Sequence, residues 1–324
     1  MKTEKFLVTG ALGCIGAWVT RHLVSEGTGI IATDASDDFG RLQLLMSDVE
    51  LAELDFRKVD VTDTASLRDM IDAHSVSHVI HLAGLQVPFC RADPVLGSKV
   101  NVTGTISVFE AVRQASTQIR GLAYASSVAV FGPPELYPTL PVPDDAPTSP
   151  GTLYGVYKVA NENTALLYWK DWHVASVGLR PYIVYGVGRD QGLTSDIAKS
   201  ILAAVSGVPF TIQFGGPVAL QYASDVAEMF IRATRSGIEG TAACNVRNDV
   251  VPVDDFINVL KNTVPEAEVD CLSTNRLPFP SDLDDSKLRE VIGEIPHTAL
   301  SNAIRETANR FQTLIAEGKL APMA

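Results

Sequence analysis

The run Phe6-Leu-Val-Thr9-Gly10-Ala-Leu-Gly13-Cys14-Ile15-Gly16 constrains the fold of this chain more than any other segment. A short apolar, β-branched stretch stops at a glycine, and helical periodicity then begins, with apolar Ile15, Val19, Leu23 and Val24 on one stripe. The result is a strand, a tight turn and a helix. Three glycines at three-residue spacing occupy the junction. Gly10 permits the turn, Gly13 lets backbone approach a pyrophosphate, and Gly16 lets the helix pack closely on the sheet. A second strand, Gly29 to Asp34, ends in a carboxylate about 20 residues past the loop, where an adenosine ribose would be held. That acid repels a ribose 2′-phosphate, and the nearest base, Arg41, lies well down the following loop. The expected cofactor is therefore NAD rather than NADP.

Further strands are expected at Phe56–Val61, Val79–Ala83, Gly121–Ala125 and Val174–Leu179, separated by helices at Thr64–Ala73, Pro94–Ala115 and Thr152–Trp169. Such alternation predicts an α/β chain, a Rossmann-type doubly wound parallel sheet. The last two helices are apolar on more than one face, so each needs the sheet on one side and a second surface on the other. Asp60-Val-Thr-Asp63, His81-Leu-Ala-Gly84 and Ser126-Ser127 all follow strands, at the sheet edge where ligands bind in open α/β folds.

Composition narrows the chemistry. With 26 basic and 38 acidic residues the net charge is -12, and no Lys/Arg run breaks that balance, so neither nucleic acid nor a membrane is an expected partner. A small molecule is. Cys14, Cys90, Cys244 and Cys271 are widely spaced and the histidines are scattered, so neither a disulfide framework nor a metal site is expected. The start of the chain leads straight into a strand, which points to a cytoplasmic protein.

Tyr154 precedes Lys158 by four residues, which on a helix sets phenol and ammonium side by side. Such a pair suits proton transfer at a hydroxyl or carbonyl.

These segments together resemble the extended short-chain dehydrogenase/reductases, the NAD-dependent epimerase/dehydratase family. The likeness spans nearly the whole chain. It runs from Thr9–Gly16, Asp34, Asp60-Val-Thr-Asp63 and His81-Leu-Ala-Gly84 through Asn101-Val-Thr-Gly-Thr105 and Ser126-Ser-Val-Ala-Val-Phe-Gly132. It continues with Tyr154–Lys158, Leu179-Arg-Pro-Tyr-Ile-Val-Tyr-Gly186, Tyr222-Ala-Ser-Asp225 and Asp285-Ser-Lys287. The resemblance implies that Gly10, Gly13, Cys14, Ile15 and Gly16 hold the cofactor. It adds Asp34 at the adenosine ribose, Asp60 and Val61 beside the adenine, and Leu82, Ala83 and Gly84 along the cleft. Asn101 would kink its helix, and Pro181 and Tyr182 would approach the nicotinamide. Ser127, Tyr154 and Lys158 would be catalytic, with Tyr154 as acid/base; Tyr157 is excluded because Asn161 stands four residues on. A homodimer through the Pro94 and Thr152 helices is a further implication.

Two departures bear on the substrate. Relatives acting on nucleotide-linked sugars grip a diphosphate with polar groups where this chain has Ile183 and Val218, which argues for a smaller, free substrate. Gln86, Arg91, Ser127 and Arg189 are the candidates to hold it. From this, the first reading is an NAD-dependent dehydrogenase of a small polyol, sugar or hydroxy acid. The second is an NAD-dependent epimerase of a sugar or nucleotide sugar, and a third, of another class, is a non-catalytic dinucleotide-binding regulator. The expected division is residues 1–180 plus about 216–247 for the NAD domain, with about 181–215 and 248–324 forming a smaller C-terminal substrate lobe. Pro133–Pro150 is expected to be a long loop before the Tyr154 helix, placed to cover the active site.

Overall fold

The computed structural model describes residues 4–324. Its strands are β1 (Lys5–Thr9), β2 (Gly29–Asp34), β3 (Phe56–Lys58), β4 (His78–His81), β5 (Gly121–Ala125), β6 (Ser176–Arg180), β7 (Ile183–Tyr185), β8 (Phe210–Ile212), β9 (Pro217–Tyr222), β10 (Thr241–Asn245), β11 (Asp249–Pro252) and β12 (Val269–Cys271). Seven of them form one sheet in the order β10-β6-β5-β4-β1-β2-β3, every pair parallel. This is the doubly wound Rossmann-type architecture. The order reverses beside β1, and the crevice at its carboxyl end is where such sheets bind ligands.

Both faces of the sheet are covered, which is why its strands read as continuous apolar runs rather than alternating ones. Leu7, Ile31, Val79, Leu122 and Tyr124 bury one face with Leu67, Val108 and Ala165 from the helices Thr64–Ala73, Gly104–Gln114 and Leu153–Trp172. Phe6, Val8, Ile30, Ile80 and Ala123 bury the other, with Val19 and Leu23 of the helix Cys14–Ser25 and Phe230 of Ala223–Arg235. At the end of β4, His81 sits between the hydroxyls of Thr9 and Thr105 at 2.7 and 3.0 Å, and burial pushes its ring down to about 3, so it stays neutral. It braces the strand ends that open the crevice.

Three elements depart from expectation. The strand begun at Phe56 stops at Lys58, because Asp60 Oδ1 accepts from the Thr62 backbone at 2.9 Å and turns the chain. The single helix expected over 94–115 is broken into Pro94–Ser98, a wide π-turn at Lys99–Thr103, and Gly104–Gln114. Asn101 lies in that wide turn, where its amide donates to Gly97 O and Leu85 O. The loop 133–150 lines neither cavity at the crevice. It is stapled toward the C-terminal segment instead, through Val142 N to Asp282 O (3.0 Å), Asp284 N to Val142 O (2.8 Å) and Asn245 Nδ2 to Val142 O (3.0 Å).

The segment 216–247 divides. Ala223–Arg235 and β10 join the main sheet, whereas β9 pairs with β7 and β11 in a separate three-stranded sheet. Pro181, which has no N–H to continue a ladder, separates β6 from β7 and turns the chain out of the main sheet. The second apolar face of the Tyr154 helix finds no cover among the described residues: Leu153, Val156, Leu166 and Leu167 are exposed, as are Val95 and Ile106 nearby. Among the described residues no helix is long and apolar enough to cross a membrane.

Candidate active site

Two cavities that share a wall lie over the β1 and β4 ends. The larger, of about 470 Å³, is lined by Gly10, Gly13, Asp34, Asp60, Val61, Leu82, Ala83 and Gly84. The smaller, of about 200 Å³, is lined by Ile15, Gly16, Ser127, Tyr154, Lys158, Pro181 and Tyr182. Cys14 and Gln86 border both.

The glycine loop works by close approach. Gly10 has φ +71°, and a Cβ there would lie 2.5 Å from Ala83 N; one at Gly16 would collide with Gly10 O. Gly16 thus lets the helix sit on the loop itself. A Cβ at Gly13 would meet only Gly10 O, at 3.2 Å, leaving its cleft side open to a phosphate. Asp34 hangs at the far end, where its carboxylate accepts from Leu12 N and Ser36 N, each at 3.1 Å. Cys14, half-buried where the two cavities meet, has its thiol pushed up to about 11 by desolvation, so it is protonated and no nucleophile.

The candidate proton-transfer group, Tyr154 with Lys158, is built on the helix Leu153–Trp172, whose first turn is capped by Thr152 Oγ1 accepting from Gly155 N at 3.0 Å. Lys158 is 5% exposed; its Nζ donates to Ala125 O at 2.7 Å and lies 5.4 Å from the centre of the Tyr154 ring. Burial pushes the ammonium down to about 8. Burial raises the Tyr154 phenol, opposed by the Ser127 hydroxyl and the Arg189 charge. Tyr157 points elsewhere, donating to Pro94 O at 2.8 Å. The Ser127 Oγ accepts from Ala129 N at 3.1 Å, while Ser126 donates to Glu162 Oε1 at 2.5 Å.

A dinucleotide fits these residues. The Asn101 Oδ1 is buried without a partner, and a Cβ at Gly84 would come 2.8 Å from it and 3.6 Å from Lys158 Nζ. Gly84 therefore keeps open the space that Asn101 and Lys158 face. At one end the Asp34 carboxylate would hold a ribose hydroxyl pair, and at the other Lys158 would hold the second ribose beside Tyr154. Losing a charge-assisted hydrogen bond costs about 10–100-fold in affinity. Asp34→Ala is accordingly expected to weaken NAD binding by about that factor and leave NADP binding unchanged or improved; fluorescence titration reads both, and equal NAD affinity would contradict the ribose role.

Other sequence candidates fall differently. Arg189 and Gln86 border the smaller cavity, whereas Arg91 is exposed and lines neither. Ile183 and Val218 are fully buried in the three-stranded sheet and touch neither cavity. They are core residues, so their apolar character says nothing against a diphosphate-bearing substrate. Sequence reasoning missed Glu162, which holds Arg180 by two bonds of 2.8 Å as well as Ser126. Its position one helical turn past Lys158 was the available signal. Arg41, expected well down the loop after Asp34, instead reaches the cofactor cleft, where it is bound to Asp190 at 2.8 Å and to Leu12 O at 3.1 Å.

Residues 6–246 match the family described as the NAD dependent epimerase/dehydratase family. The chain is 30% identical to UDP-glucose 4-epimerase of Mycolicibacterium smegmatis, over 94% of this chain and 98% of that one. Its fold is similar to UDP-glucose 4-epimerase of Thermus thermophilus in complex with NAD (TM-score 0.78, 24% identity, 95% and 99% covered). It is also similar to L-threonine dehydrogenase of Clostridium difficile (TM-score 0.84, 22% identity, 99% and 100% covered). The glycine loop, the parallel sheet and the match over three quarters of its length make this chain a member of the NAD-dependent epimerase/dehydratase family, with NAD as its cofactor.

Proposed function

We propose that this protein is an NAD-dependent epimerase that inverts a carbinol centre of a sugar, free or nucleotide-linked, by oxidising it and reducing it again without releasing the cofactor. The reading replaces the dehydrogenase ranked first from sequence. Its main support is how the cofactor cleft is closed. The loop 186–192 crosses the cleft rim, tied down by Trp18 Nε1 donating to Val187 O at 2.9 Å and by the Arg41–Asp190 pair. Arg189, Asp190 and Gln191 of that loop line the cleft. A strapped cofactor suits an enzyme that needs no exchange between turnovers, and the Mycolicibacterium relative points the same way.

Each residue has a task in this scheme. Bound NAD supplies a hydride acceptor. Tyr154 takes the hydroxyl proton from the substrate, with Ser127 donating to the same substrate oxygen. Lys158 stays cationic beside the phenolate and lowers the cost of forming it. For inversion the keto sugar must turn over inside the site, and Tyr154 then returns the proton to its oxygen. The apolar part of the small cavity, made by Val184, Leu193 and Phe279, excludes water while this happens.

The test is to incubate the purified protein with UDP-hexoses and free sugars and follow epimer formation chromatographically, alongside absorbance at the NADH band. The expected result is an epimer pair from at least one substrate, NAD carried through purification, and no net NADH. Net NADH in proportion to substrate, with freely exchanging NAD, would return the dehydrogenase reading to first place.

A further inference from the structure

The wall shared by the two cavities carries a cation that no carboxylate among the described residues neutralises. It is Arg189, which with Gln86 borders both. Among the described residues no carboxylate pairs with the guanidinium, whose one hydrogen bond is a long one of 3.3 Å to Thr194 Oγ1. Its Nε is buried and has no partner at all. The adjacent acid, Asp190, is the obvious counter-ion, but it is held by Arg41 through three hydrogen bonds of 2.8 to 3.1 Å. No Asp or Glu lines the cavity that holds Tyr154 and Ser127. A half-buried guanidinium whose Nε is shut off from water and has no counter-charge is costly, and the cost is relieved when an anion arrives with a ligand.

A second polar group stands beside it. Gly192 has φ +102°, and a Cβ there would press on Gln86 Oε1 and come 3.1 Å from an Arg189 terminal nitrogen. Gln86 and Arg189 therefore converge on one glycine, and the Gln86 oxygen too is buried without a partner. A glycine in this left-handed conformation makes room for both side chains. The planar fork is a donor set that matches a carboxylate, and the Gln86 oxygen, an acceptor, suits a hydroxyl of the same ligand. The fork lies close enough to the Tyr154 phenol for its charge to act on it. The neighbours Thr194, Leu193 and Tyr182 border only the small cavity, not the larger one.

We propose that Arg189 binds a carboxylate carried by the substrate close to the carbon that reacts, with Gln86 accepting from a neighbouring hydroxyl, so that the enzyme's substrate is an acid sugar and not a neutral one. The proposal deepens the epimerase reading by naming the substrate class, and its substrate being a sugar rests on that reading. Arg189 then fixes which carbon faces Tyr154, because a two-point contact orients the ring as well as holding it. The strap has two jobs in this arrangement. Asp190 closes the cofactor cleft by engaging Arg41, and by doing so it leaves its neighbour Arg189 free for the ligand.

The experiment uses the NAD-loaded protein and measures binding without turnover. D-glucuronate is titrated against D-glucose, and UDP-glucuronate against UDP-glucose, by calorimetry into the wild type, Arg189→Lys and Arg189→Gln. In the wild type the acid of at least one pair is expected to bind about 10–100-fold more tightly than its neutral partner, the value of a charge-assisted contact. Arg189→Gln should erase that preference, the acid losing far more affinity than the neutral sugar, and Arg189→Lys should keep part of it. Equal binding of acid and neutral ligand in the wild type would overturn the proposal, as would a preference that survives in Arg189→Gln. Loss of NAD from Arg189→Gln would also overturn it, since the cofactor's diphosphate would then be the missing counter-ion. Because no turnover is read, absence of epimerisation would refute the epimerase reading and leave the carboxylate site standing. Epimerisation of neutral sugars with no acid preference would do the reverse.

Discussion

Tyr154→Phe is expected to lower kcat by about 10²–10⁴-fold, the usual worth of a positioned acid/base, with NAD content unchanged. The phenyl ring keeps the packing of the first helical turn, so the loss isolates the hydroxyl. The pH profile gives an independent check. Burial leaves Lys158 at about 8 and the phenol raised, and groups this close titrate as a pair. The first proton lost from the pair therefore leaves near pH 8, and the species that remains includes tyrosinate beside ammonium, the form that can accept the substrate proton. The oxidative half-reaction should accordingly accelerate from pH 6 to a plateau above about 8, while the reductive half-reaction, which needs the proton, should slow over the same interval. Lys158→Met should move the limb upward, because the buried phenol then lacks its cation. A flat profile, or an active Tyr154→Phe protein, would remove Tyr154 from the mechanism.

Glu162→Ala is expected to cost about 3–5 kcal/mol of stability, because it strands Arg180 as a buried, unpaired charge. The pair's side chains are 4% and 11% exposed, and Arg180 also donates to Asp144 O and Asn245 Oδ1. The same carboxylate holds Ser126, so it ties together the ends of β5 and β6 and the helix that carries Lys158. Ser127 and Pro181 are the next residues along those two strands. Urea unfolding should show the loss as a lower midpoint. The double variant Glu162→Leu with Arg180→Met should be markedly less impaired, since replacing both charges removes the desolvation cost along with the attraction. A Glu162→Ala protein within 1 kcal/mol of the wild type would show that water reaches Arg180 and that the clamp has no structural role.

Much of the dinucleotide half could be read directly. The glycine spacing, Asp34 and the alternation of strands and helices are local signals, set by backbone sterics and by burial of the sheet on both faces, and they implied a parallel sheet, whose strand order the structure supplies. The choice of Tyr154 over Tyr157 was also legible, because helical spacing alone decides which phenol can share a face with a lysine. The wide turn at Asn101 was not, since its cause is an amide reaching back to Gly97 and out to Leu85.

The substrate side shows the limit. Ile183 and Val218 were read as cavity residues because they occupy positions where relatives are polar, yet both are buried in a small sheet whose partner strands lie far away in sequence. Arg189 and Arg91 looked alike as loop arginines; the path of the loop 186–192 over the cleft separates them. Sequence by itself determined the cofactor half and the proton-transfer pair, since these depend on turn geometry and on spacing within single elements. Only the tertiary structure decided what faces the substrate, because pairing Asp190 with Arg41 across 149 residues is what leaves Arg189 without a counter-ion.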